Sequence, residues 1–188
     1  MKTLVLFLAL VLLSSCIRVR RTRNFYMENK TLTLSLYDRF LLINKMFPYG
    51  AFNIRSGNNE ALVEYKVEET QSHIATCSAN GGLIYDNKED SLATASDTAF
   101  VRIAKTELFK IFVADFIRSG YLYAQGNWDK NPDYVFFGYG TARPLRSNRY
   151  DLGIQVCEPG SPSSVDDHDK LYFRKIDEKA YVTEDEFR

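Results

Sequence analysis

The segment TAFVRIAKTELFKIFVADFIRS, Thr98 to Ser119, decides the fold class. Phe100, Ile103, Ala104, Leu108, Ile111, Phe112 and Phe116 recur at spacings of three and four, which puts them on one face of a helix. Val101, Phe109, Val113 and Ile117 widen the apolar stripe, and Arg102, Lys105, Glu107, Lys110, Asp115 and Arg118 hold the polar remainder. Asp97 is placed to cap the first free amides, and Gly120 to end the helix in the left-handed conformation that glycine tolerates. So wide a stripe belongs in a core, packed across a sheet.

Strand signals flank this helix. Thr31–Tyr37 alternates polar and apolar residues, which predicts a strand with Leu32, Leu34 and Leu36 on one face. Phe40–Phe47 is apolar without a clear period, and Pro48, Gly50, Ser56, Gly57 and Asn58-Asn59 punctuate turns. Ala61–Val67 sets Leu62, Glu64 and Lys66 against Val63, Tyr65 and Val67, a strand with one wet face. Residues 72–76 and 82–85 read as short strands around the turn Asn80-Gly81-Gly82. Beyond the helix, a loop runs through Trp128 to Asn131-Pro132-Asp133. Strands are then expected over 134–139, 152–157 and 171–176, separated by a basic turn at 143–149 and a Pro/Ser/Asp-rich loop at 158–170. The expected fold is α+β: a mostly antiparallel sheet covered on one face by one long helix, about 98–119.

The 188 residues carry 24 Lys and Arg against 24 Asp and Glu, so no overall field points to nucleic acid. Thirteen Phe and 12 Tyr mark an ordered, strand-rich chain. The chain starts Met1-Lys2, continues as the apolar run Leu4–Leu13 and reaches Ser14-Ser15-Cys16. A short basic start, an apolar stretch and small residues before a cut describe a secretory signal over 1–15, too short to span a bilayer as a helix. Residues 16–28 read as a basic tether with Arg18, Arg20, Arg21 and Arg23, and 29–188 as a single domain ending in the acidic Glu184-Asp185-Glu186. The arginines either sit on anionic headgroups or keep a solvated tether soluble.

Leu13-Ser14-Ser15-Cys16 resembles the lipobox of bacterial lipoproteins. The helix ending in Gly120-Tyr121, with Asn131-Pro132-Asp133-Tyr134-Val135 after it, is similar to a class of small Gram-negative lipoproteins of unknown function. The resemblance implies that Cys16 receives a diacylglyceryl group, that the signal is cut before it and that the new amine is acylated. It implies a place in the cell envelope, anchored to the membrane by lipid and facing the periplasm or the cell surface. It implies a non-catalytic binding or scaffolding role, with an envelope protein or the cell wall as partner. An envelope hydrolase or hydrolase inhibitor is the alternative from another class, and a soluble secreted protein without lipid is a third. With Cys16 lipidated, Cys77 and Cys157 remain of the three cysteines. An oxidising compartment favours a disulfide between them, closing a loop of about 80 residues worth on the order of 4 kcal/mol. Two separately buried thiols are the other reading.

Catalytic signatures are thin. His168 lies in Asp166-Asp167-His168-Asp169, where adjacent residues cannot all converge on one ion, so a solvated loop is expected and no metal site. His73 lies at a strand edge, and no Gly-x-Ser-x-Gly elbow exposes a nucleophile. The pairs Glu68-Glu69 and Glu184/Glu186 are expected to face solvent, the glycines fit no phosphate-cradling loop, and no cofactor is implied. Trp128, in Gln125-Gly126-Asn127-Trp128, is hard to place in a core. With Tyr121 and Tyr123 it is the candidate binding surface.

Overall fold

The computed structural model describes residues 2–49, 52–66, 71–86, 95–126, 134–142, 150–159 and 170–186. Helix α1 (Lys2–Met46) leads into the meander β1 (Phe52–Ser56), β2 (Glu60–Lys66), β3 (Ser72–Ser78) and β4 (Leu83–Asp86). Helices α2 (Ala95–Ala104) and α3 (Glu107–Ser119) follow. The strands β5 (Tyr123–Gly126), β6 (Tyr134–Ala142), β7 (Tyr150–Cys157), β8 (Lys170–Lys175) and β9 (Ala180–Glu186) complete the chain. Among the described residues nine strands form one antiparallel sheet in the order β4-β3-β2-β1-β5-β6-β7-β9-β8. The fold is α+β, as expected, with helices packed on one face of the sheet.

The long helix expected at 98–119 is two helices. Thr106 is extended (φ −72°, ψ 144°), and its Oγ1 accepts from the Phe109 amide at 3.3 Å while donating to the Ile103 carbonyl at 2.7 Å. One hydroxyl thus caps α3 and closes the end of α2. Gly120 ends α3 at φ 80°, as its position predicts.

The larger correction concerns the N-terminal third. Thr31–Tyr37 is not a strand and residues 16–28 are not a tether: both lie in α1. The buried positions Thr33, Leu36, Tyr37, Phe40, Ile43, Asn44 and Phe47 advance by three and four. That is a helical stripe, and seven residues of it mimic alternation. The helix bends at residue 29 and packs on the core on both sides of it. Asn29 leaves helical geometry (φ −110°, ψ 16°), its amide donates to the Phe25 carbonyl, and Thr33 Oγ1 donates to the Asn29 carbonyl, both at 3.0 Å.

Aromatic rings fill the space between helices and sheet. Phe40 of α1 stacks on Phe52 of β1 with centroids 4.4 Å apart, and Phe100 of α2 stacks on Tyr65 of β2 at 4.3 Å. Phe112 of α3 meets both Phe40 and Phe52 edge-on. Further along α1, Phe25 contacts Tyr121 and Tyr139. Each such ring, fully buried, contributes roughly 1.5–3 kcal/mol. An ion pair between Arg39 and Asp115 ties α1 to α3 where the two helices run side by side.

Candidate binding site on the second face of the sheet

Strand register builds this face. In β1, Phe52 and Ile54 turn toward the helices, so Asn53 and Arg55 turn away from them. Pairing then carries a row outward: Ile74, Glu64, Asn53 and Gln125 lie opposite one another across β3, β2, β1 and β5. The same row continues through Phe136, Gln155 and Tyr181 on β6, β7 and β9. The adjacent row runs Thr76, Leu62, Arg55, Tyr123, Gly138, Gly153 and Thr183.

The two rows change character along their length. Over β6 and β7 and at Thr183 of β9 they are dry, with Phe136, Gln155 and Thr183 buried and Tyr181 half-buried at the end of its row. Glycine makes the packing possible there. A Cβ on Gly138 would lie 2.2 Å from the Tyr123 ring, and one on Gly153 would lie 2.4 Å from Phe136 Cζ, so each aromatic lies across its neighbour's bare backbone. Thr183 Oγ1 is buried with no hydrogen-bond partner among the described residues.

Over β1–β3 the face is open. Asn53, Arg55, Leu62, Glu64 and Ile74 line a pocket of about 240 Å³. Leu62 and Ile74 remain 40% and 48% exposed, a large apolar surface to leave in water beside a charge. Glu64 accepts from Ser72 Oγ at 2.8 Å. Arg55 is exposed, and among the described residues it has no acidic partner. A guanidinium donates five hydrogen bonds in a planar fork that matches carboxylate or phosphate oxygens. Tyr123, opposite Arg55 on β5, is half-buried and turns its ring toward Gly138 and Phe136, away from this pocket. The arrangement suits a ligand with one anionic and one apolar part.

The residues singled out from sequence scatter relative to this pocket. Tyr123 does not line it: its ring lies over Gly138 and meets Phe136 on the β6 side. Nor does Tyr121: it is fully buried against Phe25 and Phe137 on the helix side, with its hydroxyl 2.7 Å from Thr33 Oγ1. Burial pushes that hydroxyl above the ordinary tyrosine range, against a smaller opposing effect of the Thr33 hydrogen bond. Tyr121 is therefore a core residue and not part of a surface. Trp128 and His168 lie outside the described residues. His73, next to pocket-lining Ile74, turns to the opposite face and meets Tyr65 edge-on. Sequence reading missed Arg55, although Phe52-Asn53-Ile54-Arg55 alternates. The turn residues Pro48, Gly50, Ser56 and Gly57 on either side leave this short alternation without a signal of its own.

The disulfide is also corrected. Cys77 and Cys157 are free and buried. Cys77 sits on β3 and Cys157 on β7, five strand positions apart in the sheet. At about 4.8 Å per step that is on the order of 24 Å, against the roughly 7 Å limit for bonded Cα atoms. Burial pushes the Cys77 thiol up to about 12, so it behaves as a small apolar side chain.

A second polar cluster fastens α1 to the β8–β9 turn. Asp177 Oδ2 accepts from Tyr26 Oη at 2.6 Å and pairs with Lys30 Nζ at 3.0 Å. Its Oδ1 accepts from the amides of Lys179 and Ala180, both at 2.9 Å. Burial alone would raise this carboxyl, but the hydrogen bonds from Tyr26, the Lys179 amide and Lys30 outweigh it and hold it below the ordinary carboxylate value. Tyr26 moves the other way: burial, then the bond to Asp177, pushes its hydroxyl above the ordinary range. The cluster joins elements 151 residues apart and is structural.

No family model, curated protein or solved structure matches the chain. Among the described residues no helix is long and apolar enough to cross a membrane.

Proposed function

We propose that this chain is a lipid-anchored protein of the bacterial cell envelope that binds a partner and does not transform it. The observation that carries the reading is the lipobox, Leu13-Ser14-Ser15-Cys16, behind the basic start and apolar run of Met1–Leu13. Cys16 takes the lipid, and more than one acyl chain makes the attachment durable. Anchoring confines the protein to a membrane face and raises its effective concentration toward envelope partners. Binding is assigned to the open pocket around Arg55, whose fork, Asn53 amide and apolar walls offer orientation and area.

The test is intact mass and membrane partitioning of the wild type beside Cys16→Ala in a Gram-negative host. Acyl mass on the wild type, with Cys16→Ala accumulating unprocessed, is the expected result. Release of both as the same soluble product overturns it. In the anchored protein, crosslinking from Leu62 in the pocket wall should capture an envelope component, and Arg55→Glu should abolish that capture.

A further inference from the structure

We infer that the first turns of the folded domain are themselves a membrane-contact surface, which seats the domain rigidly against anionic lipid headgroups. The inference deepens the lipid-anchor reading and rests on it for the position of the bilayer.

Val19, only three residues after Cys16, is already buried, and Thr22 and Tyr26 follow it on the same side of α1. At 1.5 Å per helical residue, Cys16 stands about 4.5 Å along the axis from the first core contact. A lipid on that cysteine leaves no slack chain between bilayer and domain. The helix cannot swing either, because Tyr26 and Lys30 both close on Asp177 in the β8–β9 turn, on either side of the bend at Asn29.

The face of α1 turned away from the sheet has matching chemistry. Ile17, Arg20, Asn24 and Met27 repeat at spacings of three and four, all exposed, with Arg21 and Arg23 exposed beside them. None of these three arginines has an acidic partner among the described residues. Ile17 and Met27 are 51% and 53% exposed, an apolar pair bracketing the cations. Cationic heads and apolar side chains on one helix face suit the boundary between headgroups and acyl chains. Between Ile17 and Met27 the exposed charges are all basic, whereas beyond Met27 the exposed face mixes Lys30 and Lys45 with Glu28 and Asp38. A solvated linker would have no reason to stack its cations against a fixed framework. The occupant that fits is a bilayer rich in anionic lipid, close to the anchored cysteine.

The experiment uses the processed protein purified from membranes, with its intact mass taken on the same preparation. A fluorophore is placed at Asn24→Cys, since Cys77 and Cys157 are buried and withheld from labelling. The protein is incorporated into vesicles of phosphatidylcholine alone or vesicles rich in phosphatidylglycerol, each carrying a headgroup quencher. The label should tumble with the whole domain on both. On anionic vesicles it should be quenched severalfold more, and the difference should vanish in Arg20→Gln/Arg21→Gln/Arg23→Gln or at high salt. A control label at Asn59, in the exposed β1–β2 turn, should ignore lipid charge. A freely tumbling label at Asn24, or quenching equal on the two vesicles, overturns the inference even where acyl mass is present. Charge-dependent quenching without acyl mass would uphold the contact and sink the lipid reading, so the two fail separately.

Discussion

The two halves of the sheet share one helix-covered face and differ on the other. Over β6, β7 and β9 the second face buries Phe136, Gln155 and Thr183; over β1, β2 and β3 it leaves Arg55, Leu62 and Ile74 in water. The same two rows of paired side chains cross both regions. A wet strand face is therefore not a property of the sheet but of what each row places on it. Glycine at 138 and 153 lets rings lie flat and close the surface. Arginine and glutamate at 55 and 64 hold it open.

The comparison is most sharply tested at Phe136. Phe136→Ala should cost about 3–5 kcal/mol in urea unfolding, while Leu62→Ala, at the open end of the neighbouring row, should cost under about 1 kcal/mol. Equal losses would mean the open half is as buried as the closed one.

Asp177 comes next, since it fastens α1 to the closed half. Its carboxyl is held below the ordinary value of 3.8, so its stabilisation is complete above that value and is lost as pH falls below it and through the folded-state value. Asp177→Asn should cost about 1–2 kcal/mol at neutral pH and flatten the acid limb of stability below about pH 4. An unchanged acid limb would show that other carboxylates govern it.

Thr183→Val keeps the shape and removes a buried hydroxyl without a hydrogen-bond partner among the described residues. It should raise stability by about 1 kcal/mol, measured as a higher urea midpoint at unchanged slope. A loss would show that the hydroxyl is satisfied after all. The smallest effect is expected at the open end, where Arg55→Gln should shift stability by less than about 0.5 kcal/mol. A larger change would make Arg55 structural and remove it from the binding role.

Part of this was readable in advance. The apolar stripe through Phe109, Phe112 and Phe116 with Gly120 behind it identifies α3, and the alternation of Ala61, Val63 and Tyr65 identifies β2. These elements carry long, regular signals of their own. Thr106 divides what looks like one helix because a single hydroxyl can serve both ends, a choice invisible in the apolar pattern. β1 and β5, with five and four residues, are too short to stand out between turn residues, and they are the strands that place Arg55 beside Tyr123. β9 lies beyond the last strand expected from sequence, at 171–176, although Ala180 and Val182 alternate and are buried.

The sequence by itself determined the α+β class, the amphipathic helical stripe that closes the core and the strand faces within the long strand β2. All of these depend on neighbours in the chain, through helical and strand periods of 3.6 and 2. Only the tertiary structure decided that Thr31–Tyr37 is helix, that Cys77 and Cys157 lie far apart, that Tyr121 is core and that Arg55 lines a pocket. Each of those depends on which strands pair, and pairing brings together residues tens of positions apart whose contacts local periodicity does not encode.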